Sequence, residues 1–162
     1  MNRRRDDTER RRDHDGLTEN LVSKLSTDEI VQELNRAFAE EVEAATRYLH
    51  LRSAVRGLDR VIVERVLNDA FHETIEHAEN IAQKIRMLGH VPKLEIHVSC
   101  PAVPLNGREA LSQALIFEEA ALEGYQDLLK KVEGDIPLEE FVRKQIALEY
   151  EHVAQLKELL TE

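Results

Sequence analysis

Apolar residues recur every three or four positions through four stretches of the chain, the spacing of helices that bury one face. The first stretch carries Ile30, Leu34, Ala37, Phe38, Ala45 and Leu49. The second carries Val63, Val66, Leu67, Ala70, Ile81, Ile85 and Leu88, and the third Leu111, Ala114, Leu115, Leu122, Leu129 and Val132. In the fourth, Phe141, Val142, Leu156, Leu159 and Leu160 share a side. Ser26-Thr27-Asp28-Glu29 reads as a capping box opening the first helix, which runs to about Arg56 before Gly57. The second helix is expected over Arg60 to Leu88, the third from near Arg108 to before Gly134, and the fourth from Ile136-Pro137 onward. The connection from Gly89 to Gly107 holds Pro92, Pro101 and Pro104; its alternating Leu94–Val98 piece suits an extended segment without demanding a sheet. Two short turns and one long connection predict an all-α fold: a four-helix bundle of two antiparallel hairpins, with a crossover between helices two and three.

Each hairpin opens with the same polar signature inside its apolar stripe. Glu41-x-x-Ala44-x-x-x-Tyr48 in the first helix matches Glu118-x-x-Ala121-x-x-x-Tyr125 in the third. Seven residues are close to two turns, so each Glu shares a face with its Tyr. The second and fourth helices then supply His77 and His152, the latter within Glu149-Tyr150-Glu151-His152. Glu149 and His152 fall on the apolar side of their helix and Glu151 does not. A buried carboxylate must be paired, protonated or bound to metal. Acids from separate helices together with a Glu-x-x-His are the donor set of a dinuclear metal site inside a bundle. Carboxylates neutralise and bridge two cations, and imidazole suits iron. Singly, Glu41 and Glu118 are better explained by an ion pair with Arg47, Arg52 or Arg143, and His77 and His152 by a satisfied core position; taken together the acids, the two His and the repeated Tyr favour metal. Tyr48 and Tyr125 are either donors to the carboxylates or apolar fillers.

The second helix departs from the pattern. Aligning His77 with His152 puts Thr74 where a bridging acid belongs. Glu73, at the edge of the buried face on the side of His77, is the expected replacement ligand, and Glu76 points away. The alternative is a site with three carboxylates.

Composition narrows the setting. At 162 residues with one Cys, the chain is one domain without an internal disulfide or thiolate zinc site. Residues 1–20 mix six Arg with six acids and have little to bury, so they are expected to form a charged disordered tail before a domain over residues 21–162. A net charge of −10 argues against non-specific nucleic-acid binding by the folded body. No apolar run reaches the length of a membrane span and the Arg-rich start lacks the apolar stretch of a secretion signal, so a cytoplasmic location is expected. Cys100 and His50, His72, His90 and His97 are expected at the surface or in loops. Val55, Leu58 and Ile62 exceed what one core needs and predict at least a dimer.

From Ser26 to the end, the chain resembles the ferritin-like superfamily, most closely the bacterioferritins. Leu34-Asn35 through Glu41 to Tyr48, Glu76-His77-Ala78-Glu79 with Met87-Leu88-Gly89 and Pro92, and Glu149-Tyr150-Glu151-His152 carry the resemblance. It implies a di-iron centre that oxidises Fe(II) with O₂ or peroxide for iron storage or detoxification. The implied metal ligands are Glu41, His77, Glu118, Glu149 and His152, with Glu73 at the position in question; Glu41, Glu118, Glu149 and Tyr48 are expected to act in the chemistry. Manganese accepts similar ligands. Haem is not expected, because Ile75 stands where the family's haem-binding Met falls. The ten residues after His152 are too few for the short fifth helix that lines the family's cage channels, a departure that leaves open whether the 24-subunit storage shell of the family forms. The competing reading is a non-catalytic iron-binding or interaction protein of the same class.

Overall fold

The computed structural model describes residues 25–161; the expected tail over residues 1–20 lies outside them. Four helices follow one another: α1 Thr27–Ala54, α2 Arg60–Met87, α3 Gly107–Lys131 and α4 Ile136–Leu160. With 28 residues in each of α1 and α2, and 25 in each of α3 and α4, they are roughly 40 Å long at a rise of ~1.5 Å per residue.

Local chemistry fixes the ends. The Ser26 hydroxyl accepts from the Glu29 N–H at 3.4 Å while the Glu29 carboxylate accepts from the Ser26 N–H at 2.8 Å. Asn106 and Glu109 repeat this reciprocal cap at the start of α3 at 2.9 and 2.8 Å. Asp135 caps α4 by accepting from the Leu138 N–H at 3.1 Å, and Pro137 sits in the first turn, where its missing N–H is not needed. Gly57 and Gly134 take φ of 101° and 98° in the two hairpin turns, a region that side chains disfavour.

The crossover after α2 runs along α1 in the same direction as that helix. The Lys93 N–H donates to Asn35 Oδ1 at 2.7 Å and the His97 N–H to Glu43 Oε1 at 2.9 Å. Near the far end of α1, the Leu105 N–H donates to the Ala54 carbonyl at 3.1 Å and the Arg56 N–H to the Leu105 carbonyl at 2.8 Å. This strap starts α3 beside the end of α1, so α3 runs antiparallel to α1. Residues 94–98 form no strand. The strap also covers Val55, which is fully buried and bridged to Leu105. Val55 is therefore a core residue, contrary to its expected place on an association surface; Leu58 and Ile62 are exposed as expected. Leu49 and Leu159, expected inward, lie at the edges of their stripes and are exposed.

Two apolar layers fill the bundle. One includes Leu34, Ile81, Ile85, Leu128 and Val142, and the other Leu51, Leu67, Leu111, Ala114 and Leu156. Between them, near the middle of each helix, lie the buried polar residues Glu41, Thr74, His77, Glu118, Gln145 and Glu149.

Candidate metal centre

Each helix contributes to this polar layer because its stripe of apolar residues is interrupted by polar side chains at the level where the four meet. Glu41 comes from α1, His77 from α2, Glu118 from α3, and Glu149 with His152 from α4. Glu149, one of the most deeply buried side chains at 1% exposed, lies between the two imidazoles. Its Oε1 is 2.9 Å from His77 Nδ1 and its Oε2 is 3.7 Å from His152 Nδ1. Glu41 Oε1 approaches His77 Nδ1 at 3.7 Å, and Glu118 Oε2 approaches His152 Nδ1 at 3.3 Å. The rings lie nearly parallel, 12° apart, with centroids separated by 6.0 Å.

The result is two triads with one member in common: Glu41, His77 and Glu149, and Glu118, Glu149 and His152. Within each, one donor atom per residue lies within 4.8 Å of the others. All five residues fit a pair of cations with Glu149 shared, and the set of three carboxylates and two imidazoles matches iron or manganese chemistry.

The two Tyr cross from one hairpin to the other. The Tyr48 hydroxyl of α1 donates to Glu118 of α3, and the Tyr125 hydroxyl of α3 donates to Glu41 of α1. Burial, reinforced by the carboxylate it faces, raises each phenol far above its usual range, so both keep their protons and act as donors. Each Glu is thereby held with one oxygen tied to a Tyr and directed toward its His.

The arginines weighed as partners for the buried acids lie elsewhere. Arg47 approaches Glu43 at 3.7 Å, Arg143 pairs with Glu139 at 3.2 Å, and Arg52 donates to Asn68. What neutralises the acids is the imidazole pair and retained protons. Burial works against a charge on His77, but the Glu149 and Glu41 carboxylates outweigh it and push its pKa up to about 9. Glu118 and Glu149 push His152 up to about 10 against the smaller opposing effect of burial. Burial raises Glu41 and Glu118, whereas Glu149 is lowered because its hydrogen bonds to His152 and His77 exceed the cost of desolvation. A cation held by these residues would replace the imidazolium protons, as metal ligands require.

Thr74 is buried three residues before His77, the place that Glu149 occupies before His152. Its hydroxyl donates to the Ala70 carbonyl at 2.8 Å, inside its own helix. Glu73, the expected substitute beside His77, belongs to neither triad. One residue along a helix turns the side chain by about 100°. Glu73 therefore sits on the outer flank, its side chain 50% exposed, with Oε2 3.1 Å from His152 Nε2. Gln145 was not singled out from the sequence. It is 1% exposed, one turn before Glu149, beside Tyr125, and its amide nitrogen has no hydrogen-bond partner among the described residues. Its signal was a polar residue on the stripe that carries Val142 and Glu149.

Two grooves approach the centre. One of about 470 Å³ between α1 and α3 reaches Glu41 and Tyr125 past Glu40, Glu43, Glu123 and Asp127. The other, about 210 Å³ between α2 and α4, reaches Glu118 and His152 past Asp69 and Glu73.

Comparison with known proteins agrees with this fold. A bacterioferritin of Desulfovibrio desulfuricans is 27% identical over 129 residues, which cover 76% of this chain and 70% of that protein. A structure of ferritin-like, diiron-carboxylate proteins from Bacillus anthracis superposes with a TM-score of 0.74 at 25% identity, covering 85% of this chain and 100% of that one. A bacterioferritin-related protein from Bacteroides fragilis, described as a dodecameric thioferritin, gives a TM-score of 0.76 at 26% identity over 85% of this chain and 87% of that one. Dps from Staphylococcus aureus, at 15% identity and a TM-score of 0.76 over 87% of this chain and 99% of that one, shares the fold. The family model for the ferritin-like domain matches residues 31–162, and the chain belongs to that family.

Proposed function

We propose that the buried centre binds two ferrous ions and catalyses their oxidation by O₂ or peroxide, a ferroxidase activity serving iron storage or detoxification. The observation that carries this reading is the position of Glu149 between two otherwise separate triads, which allows one carboxylate to serve both ions. Glu41, His77 and Glu149 would hold one ion and Glu118, Glu149 and His152 the other. Two ferrous ions supply two electrons; with two protons these reduce O₂ to hydrogen peroxide, or hydrogen peroxide to two waters. The chain's own residues supply anionic charge that favours the ferric product, a largely buried setting between two apolar layers, and Tyr48 and Tyr125 hydroxyls that fix the terminal carboxylates. Manganese competes for the same donors.

The second reading is an iron binder without fast oxidation, favoured by Thr74 in the place of a fourth acid. Loading the protein anaerobically with Fe(II) and then admitting air separates the two. Rapid formation of a ferric chromophore at two irons per chain supports the ferroxidase, and oxidation at the rate of buffer alone supports the binder. No helix among the described residues is long and apolar enough to cross a membrane. A cytoplasmic protein fits that, and exposed Leu58, Val61 and Ile62 at the hairpin turn fit association of copies into at least a dimer.

A further inference from the structure

The two imidazoles are not held alike. The His77 side chain is 7% exposed and wedged inside the bundle. Both its carboxylate partners approach Nδ1, and no carboxylate pairs with its Nε2 among the described residues. The His152 side chain is 17% exposed and faces the α2/α4 groove, where packing restrains the ring less. It is this ring that has a carboxylate at each edge: Glu118 on Nδ1 at 3.3 Å and Glu73 on Nε2 at 3.1 Å. A planar ring gripped at opposite edges is fixed both in rotation and in tilt. Nδ1 must lose its proton to take a cation, and the remaining proton then resides on Nε2, the atom that faces Glu73.

We propose that Glu73 is a positioning residue for the His152 half of the centre: its carboxylate accepts the Nε2–H and holds the ring with Nδ1 directed at Glu118 and Glu149. This rests on reading the centre as a metal site. Glu73 reaches across from α2 to α4 and does not enter the triads, because its place on the helix lies one residue, about 100°, from the buried position of Thr74. The pair is half exposed and screened, so it adds little to stability. Its effect is on the order of the ring and on the affinity of one of the two ions. The His77 half is ordered by burial and does not depend on it.

The test compares Glu73→Ala, Glu73→Gln and, as a control on the same helix, exposed Glu76→Ala. Two readouts are taken: an anaerobic Co(II) titration followed by visible absorption, and solvent exchange of the His152 Nε2–H in the metal-free protein by ¹⁵N NMR. Glu73→Ala is expected to weaken one Co(II) by about 10–100-fold, the usual cost of losing such a partner, while the other stays near wild type. It should also turn a protected Nε2–H into a rapidly exchanging one. Glu73→Gln keeps an oxygen acceptor and should preserve both properties, and Glu76→Ala should change neither. If Glu73→Ala binds both ions as wild type does, with unchanged exchange, the proposal is overturned. A Gln variant as weak as the Ala variant also overturns it, since a carboxylate ligand or charge would then be what matters. If wild type takes up no Co(II), the metal reading fails separately, and the exchange measurement alone decides whether Glu73 holds the ring.

Discussion

Replacing Thr74 with Glu adds a fourth carboxylate at the level where Glu41, Glu118 and Glu149 already meet. In the metal-free protein the new group is buried beside acids of which Glu41 and Glu118 are already raised by desolvation. It must stay neutral at pH 7. Holding a Glu of ordinary pKa ~4.3 protonated at pH 7 costs about 1.4 kcal/mol per unit, or about 4 kcal/mol in all. For a chain of 162 residues each kcal/mol moves the melting temperature by about 2–4 °C, which predicts a fall of about 8–16 °C. With two divalent cations bound the sign reverses, since four carboxylates then face four positive charges and the new acid sits three residues before His77, as Glu149 does before His152. The assay is thermal unfolding by circular dichroism of wild type and variant, in chelator and with Co(II) under nitrogen. A metal-free variant melting within 2 °C of wild type would refute the placement of Thr74 in the site. A variant destabilised equally with and without metal would refute the claim that a cation meets the carboxylate there.

Glu149→Ala should abolish binding of both ions and reduce Fe(II) oxidation to the buffer rate; in chelator it should also lose about 3–5 kcal/mol, because His77 and His152 keep buried charges without their common partner. Retention of one full-affinity ion by that variant in an Fe(II) titration would show that Glu149 is not shared. Above neutral pH, the stability of the metal-free protein should fall as pH rises. Folded pKa values of about 9 for His77 and about 10 for His152 lie above the ordinary 6.5, so their contribution is complete below 6.5 and lost as pH rises through 9 and 10. Melts in chelator should therefore drop from about pH 6.5 to about pH 10, and metal affinity should climb over the same rise; a flat profile contradicts the imidazolium–carboxylate arrangement. Wild type should scatter light as more than a monomer at micromolar concentration, and Leu58→Glu with Ile62→Glu should reduce its mass; a monomeric wild type removes the association surface.

The helices were legible because their stripes are long, their turns carry Gly57 and Gly134, and the α1 cap is a local sequence signal. The burial of Val55 was not legible, because the strap ending at Leu105 covers it and periodicity along α1 carries no information about a segment fifty residues away. The five residues of the triads could be picked out because the Glu-to-Tyr spacing is repeated and each interrupts an apolar stripe. Spacing did not reveal that the pairs cross: Tyr48 shares a helix face with Glu41 yet donates to Glu118, a relation set by how the two hairpins pack. That Glu73 borders His152 was not legible, since a wheel drawn for α2 alone shows which flank a side chain occupies and not which helix borders it. Gln145 went unnoticed because a single amide in an apolar stripe has no repeat to expose it.

The most direct test of the shared-carboxylate centre is an anaerobic Fe(II) titration of chelator-treated protein, counting bound iron per chain in wild type and in Glu149→Ala. Two tightly bound ions in wild type and none in the variant are the expected result. Wild type that takes up no iron, or a variant that still binds two, would contradict it.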